Sequence, residues 1–187
     1  MRRAAILLAP ALLGISVMAS FARNAPVIMA QPTLPVAASV LPSGAVALLV
    51  DKHNREREAL GMAPLVWDET LAMAARQWAK ELARSNRFEH SPDELRGPQG
   101  ENLFMGTAGA WGLDEMMDDF LEERADFMPG VFPQVARRGT WHDVGHYTQI
   151  IWRKTRAVGC AMARGNGQDY LVCRYWPAGN VVGQRVP

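Results

Sequence analysis

This chain has almost no excess of charge of either sign, only two cysteines and neither of two common hydrolase motifs. Its 187 residues include 20 basic and 19 acidic side chains, four histidines and two cysteines. A near-neutral chain lacks the basic surface that nucleic-acid binding requires, so we expect no nucleic-acid partner. The G-x-S-x-G motif is absent, and so is H-E-x-x-H, because Asp143 follows His142. The sequence therefore contains neither the nucleophile motif of α/β-hydrolases nor the zinc motif of zincins.

The one long apolar run lies at the N-terminus. A basic start at 1–3 precedes a nearly uncharged run at 4–19, and residues 20–22 form a small-x-small cleavage site. This order is typical of a secretory signal, and the run is short for a bilayer span. We therefore predict a signal peptide at 1–22 rather than a membrane anchor, secretion to the periplasm or the medium, and no stable membrane insertion after cleavage.

The segment after the signal differs in composition from the rest of the chain. Residues 23–43 contain four prolines and no hydrophobic periodicity, which is typical of a flexible spacer. Cleavage after Ala22 leaves 165 residues, with 18 basic and 19 acidic side chains and a net charge of −1. Residues 44–187 are long enough to bury a full core, and we expect one monomeric domain there.

Three segments show the apolar spacing of amphipathic helices. They are 44–60, with Ser43 as cap and Gly61 as stop; 69–86, with Asp68 as cap and a stripe of Leu71, Ala75, Trp78 and Leu82; and 113–125. Glu123 shares the apolar face of the third helix with Met116 and Phe120. A carboxylate on that face needs a partner, because an unpaired buried charge is costly.

Strands are predicted at the C-terminal end of the chain. The runs 147–152, 157–163 and 170–176 are rich in β-branched and aromatic residues. If Asn166-Gly167 is a two-residue hairpin turn, Cys160 lies directly opposite Cys173, which permits a disulfide. Two reduced thiols in the core are the alternative. Helices followed by antiparallel strands favour an α+β layered domain.

Four polar side chains are candidates for a buried site: His90, Glu101, Glu123 and His146. The first two lie in 88–104, which is rich in Ser, Pro and Gly and is predicted to be a loop. Two imidazoles and two carboxylates suit Zn²⁺ or another divalent cation. Sequence spacing alone does not bring the four together. Two hydrogen-bonded His–Glu pairs in a polar cleft are the alternative.

Four stretches of the chain resemble the CAP superfamily, which includes cysteine-rich secretory proteins, antigen 5 and plant pathogenesis-related proteins. They are HNREREALGMAPLVWDETLAMAARQWA, FEHS with GENLF, GHYTQIIWRKT and YLVCRYWPAGNVVG, at 53–79, 88–104, 145–155 and 170–183. The resemblance covers about 45–185 and is to a single-domain member of bacterial type. It implies a three-layer α-β-α sandwich with a central antiparallel sheet and a large cleft.

By motif position, the resemblance places His90, Glu101, Glu123 and His146 in that cleft, where family members can hold a divalent cation. It also implies structural roles for His53 and Asn54, and a variable loop at 128–141. We expect Phe132, Trp141 and Arg137-Arg138 of this loop to cover the sheet, with contact to a ligand as the alternative. The chain departs from the family pattern at Val144, where eukaryotic relatives often have cysteine.

Three functions fit these residues. The first, which we favour, is a secreted binding module with a cation in the cleft and a lipid, sterol or peptide as ligand. The second is metal-assisted hydrolysis with Glu101 or Glu123 as general base, or with Ser91 as a nucleophile beside His90. The third is a purely structural cleft, with function on the surface loops.

Overall fold

A computed structural model describes residues 41–187 of the chain. The predicted signal peptide at 1–22 and all but the last residues of the predicted 23–43 spacer lie outside the described residues. The helices are α1 (Ala45–Ala59), α2 (Glu69–Ser85), α3 (Asp93–Arg96), α4 (Leu113–Glu122) and α5 (Gly145–Ile150), with 3₁₀ turns at Glu123–Ala125 and Trp141–Asp143. The strands are β1 (Val66–Trp67), β2 (Gly100–Thr107), β3 (Gly130–Val131), β4 (Ala157–Gly165), β5 (Gln168–Trp176) and β6 (Arg185–Val186). From residue 41 onward, no helix has both the length and the apolar character that a membrane crossing needs.

The main sheet is built around the β4–β5 hairpin, and its strand order is β1-β4-β5-β2. Asn166 and Gly167 form the turn with φ of 50° and 76°, and two positive φ values are typical of a type I′ hairpin. Cys160 is directly opposite Cys173, and the two form a disulfide with their Cα atoms 4.1 Å apart. The predicted turn, register and disulfide are confirmed.

Helices cover both faces of this sheet, which confirms the α+β sandwich. Alternate residues of β4 and β5 face α2, and their neighbours face the larger core that α4 and α5 complete. Helix α2 lies so close to β4 that a Cβ on Gly159 would be 2.3 Å from the backbone N of Ala72. The sheet is mixed rather than wholly antiparallel, because the short β1 runs parallel to β4.

The first two predicted helices are present, but only one of the predicted caps is. Asp68 accepts a hydrogen bond from the backbone N of Leu71 at 2.9 Å, as expected for a helix N-cap. The Ser43 cap is wrong: the N-cap of α1 is Gly44, with φ of 81° and no side-chain cap bond. Glycine adopts that left-handed conformation without strain, and the helix starts one residue later than predicted.

The strand predicted at 147–152 is wrong, because residues 145–150 form helix α5. The side chains of 147–150 are all buried. Tyr147, Thr148 and Ile150 are aromatic or β-branched and are therefore typical of strands. A helix of six residues is also too short for its apolar spacing to indicate a helical period.

The loop predicted at 88–104 is only partly correct. Residues 100–107 form β2, the edge strand that pairs with β5, so Glu101 lies on a strand. The strand was not predicted because its sequence contains glycines and polar residues. Glycine in a strand weakens the strand and lowers the tendency of the segment to form one. The third predicted helix also ends earlier, at Glu122, and Glu123 begins a 3₁₀ turn.

A buried histidine connects α1 to the sheet. His53 Nδ1 is 2.7 Å from the Leu49 carbonyl oxygen, and Nε2 is 2.8 Å from the Tyr175 hydroxyl. A carbonyl only accepts, so Nδ1 carries the proton and Nε2 accepts from Tyr175. Burial lowers the pKa of His53 to about 4, and the charge of Arg57 acts in the same direction. The neighbouring Asn54 bonds both the N and the O of Leu65, so both residues have structural roles.

We expect the neutral state of His53 to make the fold sensitive to mild acid. The unfolded chain binds a proton at this ring near pH 6.5, whereas the folded chain does so near pH 4. Stability is therefore lost as the pH falls between these values, by up to about 3 kcal/mol. Urea unfolding at several pH values in this range would give the slope of the unfolding free energy against pH. In His53→Gln this slope should be smaller, by an amount that corresponds to nearly one proton. Equal slopes in the two proteins would contradict the assignment.

The disulfide should stabilise the hairpin mainly by restricting the unfolded chain. The two cysteines are 13 residues apart, and a loop of this size contributes roughly 3 kcal/mol. We expect Cys160→Ala/Cys173→Ala to lower the free energy of unfolding by about that amount in urea. With reductant, the wild type should have the same free energy of unfolding as the double variant. If reductant also lowered the stability of the double variant, its effect would not come from this disulfide.

Candidate functional site

The first half of the site is a histidine at the sheet edge, held by a buried glutamate. Glu101 is on β2, and its side chain is fully buried. Its Oε1 accepts from His90 Nδ1 at 2.8 Å and from the backbone N of Ser91 at 2.9 Å. Its Oε2 accepts from the Ser91 hydroxyl at 2.8 Å. One carboxylate thus orients the loop that carries His90.

An arginine on the neighbouring strand balances the charge of Glu101. Arg174 is directly opposite Glu101 in the β2–β5 register, and its Nε is 2.9 Å from Oε2, although the angle is not that of a hydrogen bond. Arg174 Nη2 also donates to Ser91 Oγ at 2.9 Å. Burial alone would raise the pKa of Glu101, but the bond from His90, the charge of Arg174 and the two bonds from Ser91 outweigh it and lower the pKa.

Ser91 is part of this network and is not placed as a nucleophile. Its side chain is 2% exposed, and its hydroxyl proton goes to Glu101 rather than to an imidazole. A serine nucleophile needs a base that accepts that proton and an approach for the substrate. The alternative that assigned this role to Ser91 has no geometric support.

The second half of the site is a histidine on the first turn of α5. His146 Nδ1 is 2.6 Å from Glu123 Oε1, and Glu123 Oε2 accepts from the backbone N of Tyr147 at 3.0 Å. Phe120 stacks on the imidazole with ring centroids 4.6 Å apart. The carboxylate and the aromatic ring together fix the orientation of His146.

Asn102 connects the two halves. It follows Glu101 on β2, and its side-chain amide donates to the His146 carbonyl oxygen at 3.0 Å and to the Tyr175 hydroxyl at 3.1 Å. The structure thus places the predicted residues as two pairs, His90 with Glu101 and His146 with Glu123. Both histidines line one cleft of about 130 Å³.

Several residues of the cleft were not predicted from sequence to belong to it. Trp141, His142 and Asn180 line the same cavity as the two histidines. His142 was rejected as part of a zincin motif, and Trp141 was expected to cover the sheet, with contact to a ligand as the alternative. Arg174 was also missed, although a charge within the apolar run 170–176 was a signal, because a buried charge requires a partner.

The donor atoms decide which residues can hold a cation. Each glutamate accepts a hydrogen bond from Nδ1 of one histidine. Both rings therefore carry a proton on Nδ1, and the lone pair on Nε2 is available to bind a cation. Among residues 41–187, no three His, Cys, Asp or Glu side chains lie close enough together to hold a metal ion as a group. The protein would therefore supply the two Nε2 atoms, with the carboxylates orienting the rings.

We expect Glu101 to be the residue on which the stability of this half-site depends. Glu101→Gln leaves Arg174 buried without its counter-charge, and such a change costs about 3 kcal/mol. Because the pKa of Glu101 is lowered, its contribution is present at neutral pH and is lost in acid below the ordinary carboxyl range. Denaturant unfolding at pH 7 would measure the loss.

The matched control is Glu81→Gln, which breaks the exposed ion pair between Glu81 and Arg84. Water screens that pair, so its loss should change the free energy of unfolding far less. If the two substitutions had similar effects, the buried pair would not have the importance assigned to it.

Comparisons with known proteins agree with this fold. The model of the CAP family, the cysteine-rich secretory protein family, matches residues 50–175. A PR-1 type pathogenesis-related protein of Sambucus nigra is 37% identical over 137 residues, which are 73% of this chain and 78% of the relative. Pathogenesis-related protein 1 of Arabidopsis thaliana is 37% identical over 155 residues, or 80% and 89% of the two chains.

Solved structures show the same fold at lower identity. The crystal structure of NaASP2 with Zn²⁺ has a TM-score of 0.66 and 24% identity, covering 81% of this chain and 88% of that one. The structure of BmVAL-1 has a TM-score of 0.62 and 22% identity, covering 82% and 86%. The family match and the plant relatives confirm what the four motifs predicted: this chain belongs to the CAP family of cysteine-rich secretory proteins.

Proposed function

We propose that this protein is an exported binding module whose cleft holds a divalent cation on Nε2 of His90 and of His146. One observation carries the proposal: both histidines line the same cavity, and in each a glutamate occupies the other ring nitrogen. Carboxylate–histidine pairs of this kind orient metal ligands in proteins. Export rests on the predicted signal at 1–22 and suits a domain of this secretory family.

A cation bound by two protein ligands would still have positions for an external ligand. When bound, it would act as a Lewis acid toward a carbonyl or carboxylate oxygen. Zn²⁺ is the first ion to test, since imidazole nitrogen suits it and the related fold of NaASP2 was crystallised with it. The protein's contribution is the orientation of the two rings.

The surroundings of the cleft favour a polar, peptide-like ligand over a lipid. A second cavity of about 350 Å³ continues from the first and shares His90, Glu101, Trp141 and Asn180 with it. Arg96, Gln99 and Gln149 line it further along, together with glycine-rich backbone. Amides, a guanidinium and one tryptophan are groups that recognise a peptide chain, whereas a lipid site is lined mainly by apolar side chains.

Binding is better supported than hydrolysis. A general base needs a free carboxylate oxygen near the reacting proton. Glu101 and Glu123 already accept hydrogen bonds at both of their oxygens, and the pKa of Glu101 is lowered, which makes it a weaker base. Neither residue is therefore placed to activate water.

Thermal unfolding with and without Zn²⁺ tests the proposal. For the oxidised protein at pH 7.5, Zn²⁺ at about 100 times its Kd should add roughly 2.7 kcal/mol of stability and raise the Tm. The increase should disappear at pH 5, because histidine must be neutral to bind metal. His90→Ala and His146→Ala should each abolish it.

The matched control is His142→Ala, which removes a third imidazole from the same cavity but leaves both His–Glu pairs intact. It should keep the response to Zn²⁺. No response in the wild type, together with lower Tm values for His90→Ala and His146→Ala, would instead establish the cleft as a structural network.

A further inference from the structure

A third cavity, lined by none of the residues of the two His–Glu pairs, is surrounded by positive charge. It measures about 280 Å³ and is lined by Trp152, Arg153, Lys154, Gln184 and Arg185. These residues come from the turn after α5 and from the end of the chain around β6. The cavity shares no lining residue with the candidate cation cleft.

Within the part of the chain that the structure describes, the cations around this cavity lack acidic partners. Arg153, Lys154 and Arg185 are exposed, and Arg156 belongs to the same turn. Across residues 41–187, none of these four forms an ion pair with a carboxylate. Other surface arginines of the chain, such as Arg55, are paired. In a near-neutral protein, this is a local concentration of uncompensated charge.

A fifth cation lies beneath the turn and holds its shape. The buried Arg57 donates to the carbonyl oxygens of Ile150 and Trp152, each at 2.9 Å, and of Thr155 at 3.1 Å. Burial and then the charges of Arg156 and Arg153 lower the pKa of Arg57 to about 10. Like charges thus repel one another here, and the backbone that carries Arg153 and Lys154 is fixed in advance of any ligand.

This arrangement matches the chemistry of a phosphate group. Arginine provides a planar fork of donors for two oxygens, and lysine provides a compact charge. Three cations around one cavity suit a doubly charged oxyanion with several acceptor oxygens better than a single carboxylate. The Gln184 amide can add a neutral donor, and the volume leaves room for a small substituent on the phosphate.

We propose that Arg153, Lys154 and Arg185 form a binding site for a phosphate monoester, carried either by a soluble ligand or by a lipid headgroup. The site is independent of the proposed cation cleft, and either can be absent without the other. A hydrogen-bonded turn and the C-terminal strand would hold the anion between them.

An NMR titration of the oxidised protein with inorganic phosphate, against chloride at equal ionic strength, tests the site. The Trp152 indole signal should shift and saturate. In Arg153→Gln/Lys154→Gln the apparent Kd should weaken by at least about tenfold, through the loss of charge-assisted hydrogen bonds. Both side chains are exposed, so the fold and the Tm should be retained.

The control is Arg55→Gln/Arg84→Gln, which removes the same charge from side chains that are 76% and 67% exposed elsewhere. It should bind phosphate like the wild type. Sedimentation with phosphatidylcholine vesicles, with and without phosphatidic acid, separates the two sources: binding only to phosphatidic acid, lost in the first double variant, indicates a headgroup. Binding to neither probe, equal loss in both double variants, or equal binding to both vesicle types would overturn the proposal.

Discussion

The buried carboxylate of Glu101 is the interaction on which the arrangement of this protein's cleft depends. It receives hydrogen bonds from His90 and Ser91 on a preceding loop and is paired with Arg174 on the adjacent strand. Removing such a carboxylate from water is costly, and only several partners with good geometry offset that cost. The same contacts that stabilise the ion therefore attach the loop to the sheet edge and select the tautomer of His90. The contacts of Glu101 therefore determine both the stability of this region and the geometry of the site.

The other histidine is positioned by different parts of the chain. His146 is held by Glu123 and Phe120, and only the side chain of Asn102 connects it to the strand that carries Glu101. Each half of the cleft is thus rigid in itself, and the two meet through an amide. Within residues 41–187, no three potential ligand side chains cluster around the histidines, so the proposed cation would depend on these two rings. The candidate function lies in two oriented nitrogens rather than in a closed metal cage.

Much of the fold could be predicted because its signals are local. The Asn166-Gly167 turn fixes the hairpin register and hence the disulfide, and Asp68 marks the start of α2. The four candidate site residues were chosen by motif, and the contacts that pair them join segments whose proximity sequence spacing does not report. Helix α5 was mistaken for a strand because its aromatic and β-branched residues favour strands, and its six residues are too few to show a helical period. Arg174 was overlooked because its partner is adjacent only through the β2–β5 register.

The strand order has a consequence for when the protein can fold. The hairpin at 157–176 forms the centre of the sheet, and the earlier strands β1 and β2 are added at its two edges. A ribosome makes the chain from its N-terminus, so the edges exist long before the centre to which they attach. Until β5 has been made, β2 has no neighbouring strand and Glu101 has no Arg174. The cleft is therefore among the last parts of the molecule to be assembled. A chain truncated shortly before the hairpin would contain all four candidate residues, His90, Glu101, Glu123 and His146, but neither Arg174 nor the strand with which β2 pairs.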